Sequence, residues 1–157
     1  EARYPSIVDL TQAQNLCTRM AERHYENFPV GRFVPKALRA HVHALYAFAR
    51  SADDFADEAE HEGHRLERLA LWRKKLHEIG QQEPTDPVFQ ALAHTIRTQS
   101  IPMQWFDDLL DAFESDVRQN RHERFEDLLL YSSRSANPVG RVVLWLHGYR
   151  DEALMQA

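Results

Sequence analysis

One stretch of the chain decides the fold: Tyr46-Ala-Phe-Ala-Arg50-Ser-Ala-Asp53-Asp54-Phe-Ala-Asp57-Glu58. Its polar residues recur at helical spacing. An α-helix turns about 100° per residue, so positions 46, 50, 53 and 57 fall within an arc of about 60°. Tyr46, Arg50, Asp53 and Asp57 are therefore predicted to share one side of a helix, and we call these four residues the stripe.

The stripe has the chemistry of a cation site. Two carboxylates one helical turn apart repel each other unless a positive charge lies between them. A hard, oxygen-seeking cation such as Mg²⁺, shared with a diphosphate, matches Asp53 and Asp57. The planar guanidinium of Arg50 is suited to hold the diphosphate oxygens directly.

A solvated helix face is the alternative interpretation, because acidic residues four apart are common on exposed helices. The neighbours of the stripe favour burial, since a helix that is hydrophobic on most sides is usually buried and buried carboxylates need partners. These apolar neighbours are Ala44, Leu45, Ala47, Phe48, Ala49 and Ala52.

Composition narrows the class of protein. The 157 residues, 43% of them hydrophobic and 10% aromatic, are predicted to form one domain, 1–157, with its own core. A net charge of −5 with scattered basic residues argues against a nucleic-acid partner. Cys17 is the single cysteine, which excludes an intrachain disulfide and fits a reducing cytoplasm. No apolar run approaches the roughly 20 residues of a membrane span, and no signal peptide is visible.

The fold class predicted from the pattern of apolar residues is all-α, because no segment shows sustained period-two alternation. Asp86 followed by Pro87 predicts a helix N-cap with proline in the first turn. His41 and His43 are two residues apart and cannot face one site on a helix. The predicted helices cover 11–25, 35–60, 64–79, 87–99, 102–120, 125–133 and 138–147.

Two helix faces are also predicted. The inner side of the first helix is expected to carry Leu16, Met20 and His24. The outward face of the third is expected to carry Arg68, Arg73, Lys74 and Lys75. On the fifth helix, Asp107 and Asp111 repeat the four-residue carboxylate spacing, but we expect most acids there to face water.

Four segments together resemble the squalene/phytoene synthase family. Besides the stretch around the stripe, they are His24-Tyr-Glu-Asn-Phe-Pro-Val-Gly31, Asp111-Ala-Phe-Glu-Ser-Asp116 and Tyr131-Ser-Ser-Arg-Ser-Ala-Asn-Pro-Val-Gly140. The first and last are most similar to the branch that serves bacterial hopanoid synthesis. The resemblance covers nearly the whole chain, with the segments in the expected order and spacing.

The resemblance implies an all-α isoprenoid-synthase-type bundle that joins two farnesyl or geranylgeranyl diphosphates head to head. In the hopanoid branch it implies conversion of presqualene diphosphate to hydroxysqualene or squalene. Asp53 and Asp57 match the first aspartate-rich motif, which binds Mg²⁺, and Arg50 matches the arginine that holds the diphosphate. Tyr131 matches the active-site tyrosine. The remaining positions implied to contact substrate are Phe28, Asn27, Tyr46, Asn137, Arg141 and Asp116.

One departure concerns the second aspartate-rich motif, which the family carries on a later helix. After Gly140 the chain offers only Asp151 and Glu152. We therefore expect an incomplete bundle of about seven helices, an N-terminal portion of a synthase that is inactive alone. Its uncovered apolar helices are expected to favour self-association, a segment swap or peripheral contact with the inner membrane.

Two other functions stay open at this stage. A phytoene synthase-type head-to-head prenyltransferase uses the same motifs on a longer substrate. A non-catalytic helical assembly module is the second, because family members that lost aspartates have such a role. The intact Arg50, Asp53, Asp57 and Tyr131 set favours an enzyme.

Overall fold

The computed structural model describes residues 9–23, 35–57, 63–119 and 145–146, and no β-strand occurs among them. Five α-helices and one 3-10 turn account for most of these residues. The helices are α1 (Leu10–Glu22), α2 (Arg39–Asp57), α3 (Arg65–Glu78), α4 (Pro87–Gln99) and α5 (Met103–Arg118), and the 3-10 turn Lys36–Leu38 leads into α2. The predicted all-α class is confirmed for this part of the chain.

The helix boundaries follow from local chemistry. Asp9 caps α1 by accepting a hydrogen bond from the Gln12 amide, and Asp86 caps α4 by accepting one from the Val88 amide. The predicted Asp86-Pro87 start is confirmed. α4 ends at Ser100, whose φ of 53° places it in the left-handed region that terminates many helices.

The helix α2 lies at the centre of the bundle and packs against each of the other four described helices. An aromatic cluster fills the space between α2, α3, α4 and α5. Phe48 of α2 contacts Phe89 and Phe106 edge to face, with ring centroids 5.9 and 5.5 Å apart. Such arrangements place the positive ring edge against the negative ring face. Burial of α2 on nearly all sides confirms what its apolar sequence predicts.

The predicted inner face of α1 is right for Met20, which packs against the core, but it misses the centre of the interface by one residue. Ala13, Cys17 and Ala21 are buried, whereas Leu16 and Met20 are half-buried at the edge of the interface. Small side chains let the backbone of α1 approach α2 and α4 closely, so they occupy the centre of the contact. His24, also predicted there, lies outside the described residues.

The predicted outward face of α3 is half right. Arg68 and Lys74 are exposed, but Arg73 and Lys75 are half-buried and form ion pairs. Lys75 Nζ lies 3.1 Å from Asp86 Oδ2, so the same aspartate that caps α4 also binds α3.

Trp145 and Leu146 attach a later part of the chain to this bundle. The Trp145 indole N–H donates to the Gln99 main-chain oxygen over 2.6 Å. Its ring meets Trp105 edge to face at 5.3 Å, and Leu146 is buried in the core. Both residues are helical, as predicted for 138–147. The other positions of that prediction, and the predicted helix 125–133, lie outside the described residues.

None of the helices in the described ranges is long and apolar enough to cross a membrane.

Candidate functional site

The stripe lies on the central helix, and its described side chains are withdrawn from solvent. Tyr46 is 6% exposed and Asp53 is 8% exposed. Arg50, one turn before Asp53, is half-buried. A carboxylate with so little exposure does not belong to a solvated helix face, so the alternative interpretation is wrong at Asp53.

Arg50 has a neighbour that sequence reasoning did not assign. Its Nε lies 3.2 Å from Asp54 Oδ1, one turn further along α2. This ion pair holds the guanidinium at its Nε atom. The Asp54 side chain is the more exposed of the two. The spacing of Arg50 and Asp54 carried the signal, because oppositely charged residues four apart on a helix commonly pair.

The other predicted site residues divide into two groups. Asp116 is half-buried near the end of α5, a helix that packs directly on α2. Asp57 is the last residue of α2, and its side chain is not among those described. The predicted positions that lie outside the described residues are Asn27, Phe28, Tyr131, Asn137 and Arg141.

The expectation that most acids of α5 face water holds for the exposed Asp111, whereas Asp107 and Glu114 are half-buried. All three bind the guanidinium of one arginine. Arg73 of α3 donates to Asp107 Oδ1 over 2.7 Å, to Asp111 Oδ1 over 2.6 Å and to Glu114 Oε1 over 3.2 Å. Burial alone lowers the pKa of Arg73, but these hydrogen bonds outweigh it and the pKa is raised. The repeated carboxylate spacing on α5 therefore holds α3 in place.

The two central histidines contact different helices, as their spacing predicts. His43 Nδ1 lies 2.9 Å from Thr18 Oγ1 on α1, whereas His41 Nδ1 lies 2.9 Å from Thr95 Oγ1 on α4. Each histidine therefore joins α2 to a different neighbouring helix.

The stripe has two carboxylates, Asp53 and Asp57, one helical turn apart in sequence. Within the part of the chain that the structure describes, no three histidine, cysteine, aspartate or glutamate side chains converge to hold a metal ion. Mg²⁺ usually takes only one or two carboxylates and completes its octahedron with water and phosphate oxygens. In number, Asp53 and Asp57 match that smaller requirement, and their binding of Mg²⁺ is a prediction.

Comparison with known proteins identifies the fold and the family. The described fold is that of an all-α isoprenoid-synthase-type bundle, with a half-buried arginine and a buried carboxylate on its central helix. The chain belongs to the squalene/phytoene synthase family, whose model matches residues 21–157.

Individual relatives give a finer comparison. The crystal structure of squalene synthase HpnC from Alicyclobacillus acidocaldarius is 39% identical, with a TM-score of 0.74 over 92% of this chain and 54% of that one. Hydroxysqualene synthase of Rhodopseudomonas palustris is 36% identical over 88% of this chain and 47% of its own. A 15-cis-phytoene synthase of Synechococcus elongatus is 29% identical over 86% of this chain and 44% of its own. The chain thus spans about half the length of the relatives it matches.

Proposed function

We propose that the protein acts on prenyl diphosphates as a synthase of the squalene and hydroxysqualene type, with Mg²⁺ as cofactor. The observation that carries the proposal is the buried Asp53 carboxylate on the same side of α2 as Arg50. A farnesyl or presqualene diphosphate presents a charged head and an apolar tail. The charged side chains of the stripe are suited to the head.

The roles proposed for the stripe follow from its chemistry. Arg50 binds diphosphate oxygens through its fork of donors, and the Arg50–Asp54 ion pair orients that fork. Asp53 and Asp57 hold Mg²⁺, which neutralises the charge of the departing diphosphate. The buried phenol of Tyr46 lies on the same side of the helix, where it limits water access to the charged groups.

Identity to relatives favours one of the two products. The relative named hydroxysqualene synthase and the solved HpnC structure are 36% and 39% identical, against 29% for the relative named phytoene synthase. We therefore favour a C30 product, with the phytoene-type reaction as the second candidate. Farnesyl and geranylgeranyl diphosphates offered to the whole protein separate the two reactions by product length.

A binding experiment tests the proposal on this chain without requiring turnover. Calorimetric titration with a farnesyl thiodiphosphate analogue should give heat only when Mg²⁺ is present, and Asp53→Asn should abolish it. Asp9→Asn is the matched control, because it removes a carboxylate from the α1 cap where asparagine caps equally well. Equal heats with and without Mg²⁺, or unchanged binding in Asp53→Asn, would refute the proposal.

A further inference from the structure

Trp72 of α3 contacts α2 on the side opposite the stripe. Its indole N–H donates to the Phe48 main-chain oxygen over 3.3 Å, and the ring is almost fully buried. It stacks on Phe48 at 6.1 Å between centroids and meets Phe55 edge to face at 5.2 Å. One side chain therefore spans two turns of α2.

The contacts of Trp72 lie on the side of α2 that is opposite the stripe. With about 100° per residue, positions 48 and 55 lie at about 200° and 180° from position 46, directly behind the stripe. Along the helix axis they bracket Arg50 and Asp53. A contact at both places restrains the rotation of α2 about its axis, and the hydrogen bond to one carbonyl restrains its sliding.

Trp72 also contacts side chains of α3 and α4. Phe89 of α4 lies 4.5 Å away between centroids, and Lys75 Nζ lies 5.5 Å from the centre of the indole ring. Lys75 is in turn ion-paired with Asp86 at the start of α4. Trp72 is thus held by α3 and α4 while it contacts α2.

We propose that Trp72 is a positioning residue for the diphosphate site, holding α2 in the rotation and register that point Arg50 and Asp53 toward the ligand. The inference rests on the proposed function for the role of the stripe. It adds a residue that touches no ligand and acts only through the backbone and the aromatic rings of α2. Loss of its hydrogen bond leaves α2 free to turn by a few degrees, which displaces the stripe more than it displaces the helix axis.

The test compares Trp72→Phe with Trp105→Phe. The control removes an indole from another tryptophan pair, since Trp105 packs edge to face on Trp145. Titration with farnesyl thiodiphosphate and Mg²⁺ should show affinity lower by about 3- to 10-fold in Trp72→Phe, the range of one lost hydrogen bond, and unchanged affinity in the control.

Hydrogen exchange of the amides at 49–53 should be faster in Trp72→Phe alone. A second variant with 3-benzothienylalanine at position 72 keeps the bicyclic ring without the N–H donor, and should show the same direction of change.

Three outcomes overturn the proposal. The first is that the amides at 49–53 exchange at the wild-type rate in both position-72 variants. The other two are that both variants bind the analogue with wild-type affinity, or that Trp105→Phe loses as much affinity as they do. If the wild-type chain does not bind the analogue, the proposed function fails. The exchange comparison then decides by itself whether Trp72 positions α2.

Discussion

Arg73 Nη1 lies 2.7 Å from Asp107 Oδ1, and this contact joins α3 to α5 across 34 positions of sequence. The same guanidinium also reaches Asp111 and Glu114, while His77 Nε2 lies 2.8 Å from Asp107 Oδ1. The Arg73 guanidinium on α3 thus binds three carboxylates on α5 and joins the two helices.

The first prediction is that Arg73→Met destabilises the protein by about 1–3 kcal/mol, because it leaves half-buried carboxylates without their donor. Asp111 contributes least, since its side chain is 62% exposed. Urea denaturation measures the loss, which should shrink as salt screens the remaining acids. Lys74→Met, at the exposed neighbouring position, is the control and should change little. Equal effects of the two substitutions would contradict the prediction.

The second prediction concerns the stability of the fold at low pH. Burial lowers the pKa of His43 in the folded protein; the Glu22 carboxylate opposes this shift and the Arg39 guanidinium adds to it. The unfolded chain has a histidine pKa of about 6.5, so below that pH it binds a proton that the folded protein resists. His43 therefore contributes full stability above about pH 6.5, and the contribution is lost as the pH falls toward its lower folded pKa.

His43→Asn tests this, because asparagine places a polar atom near Nδ1 and keeps a partner for Thr18. The midpoint of thermal unfolding should fall less steeply with acid in this variant than in the wild type. The exposed His64 supplies the control variant, His64→Asn. Parallel curves for His43→Asn and the wild type would show that His43 is not responsible.

The third prediction is that Arg50→Lys weakens binding of Mg²⁺ and farnesyl thiodiphosphate by about tenfold, equivalent to ~1.4 kcal/mol. Lysine keeps the charge and can still pair with Asp54, but it lacks the planar fork that binds two oxygens at once. Arg97→Lys on α4, whose guanidinium binds Glu83 and the Ile79 carbonyl, is the control. Calorimetry that finds identical affinities for Arg50→Lys and wild type would show that Arg50 does not bind the diphosphate.

The fourth prediction uses the single cysteine. Burial, with a smaller contribution from the Asp86 charge, raises the pKa of the Cys17 thiol to about 12. At about pH 8 roughly one thiol in ten thousand is then ionised, and the thiolate is the reactive form. Labelling by a disulfide reagent should be far slower in the folded chain than in denaturant. Rapid stoichiometric labelling without denaturant would contradict the buried position of α1.

The parts of the fold that sequence predicts are those set by neighbours in the chain. Asp86 and Pro87 specify the start of α4 by themselves, and the apolar residues around Asp53 specify its burial. The ion pairs of Arg73 were missed because their partners lie 34 to 41 positions away, on another helix. Cys17 was missed as the centre of the α1 interface because hydrophobicity favoured Leu16, whereas close packing favours the smaller side chain.

The candidate site also has residues that the sequence predicted and residues that it did not. Spacing alone placed Tyr46, Arg50 and Asp53 on one side of a helix, and the structure confirms the burial of Tyr46 and Asp53. Trp72 gave no comparable signal, since an aromatic residue on an amphipathic helix is ordinarily a core residue and its hydrogen bond to Phe48 spans two helices. The predicted binding and catalytic roles of all the site residues stay predictions, which applies to Tyr46, Arg50, Asp53 and Asp116 as well as to Asp57, Phe28, Asn27, Tyr131, Asn137 and Arg141.

The hydrogen bond between Trp145 and Gln99 has a consequence for synthesis on the ribosome. The chain emerges from its N-terminus, so α1, α2 and α4 can meet before position 145 has been translated. Until then the Gln99 carbonyl has no indole to accept from and faces water or another donor. The side-chain contact at the end of α4 is therefore made late, by a residue 46 positions further along the chain.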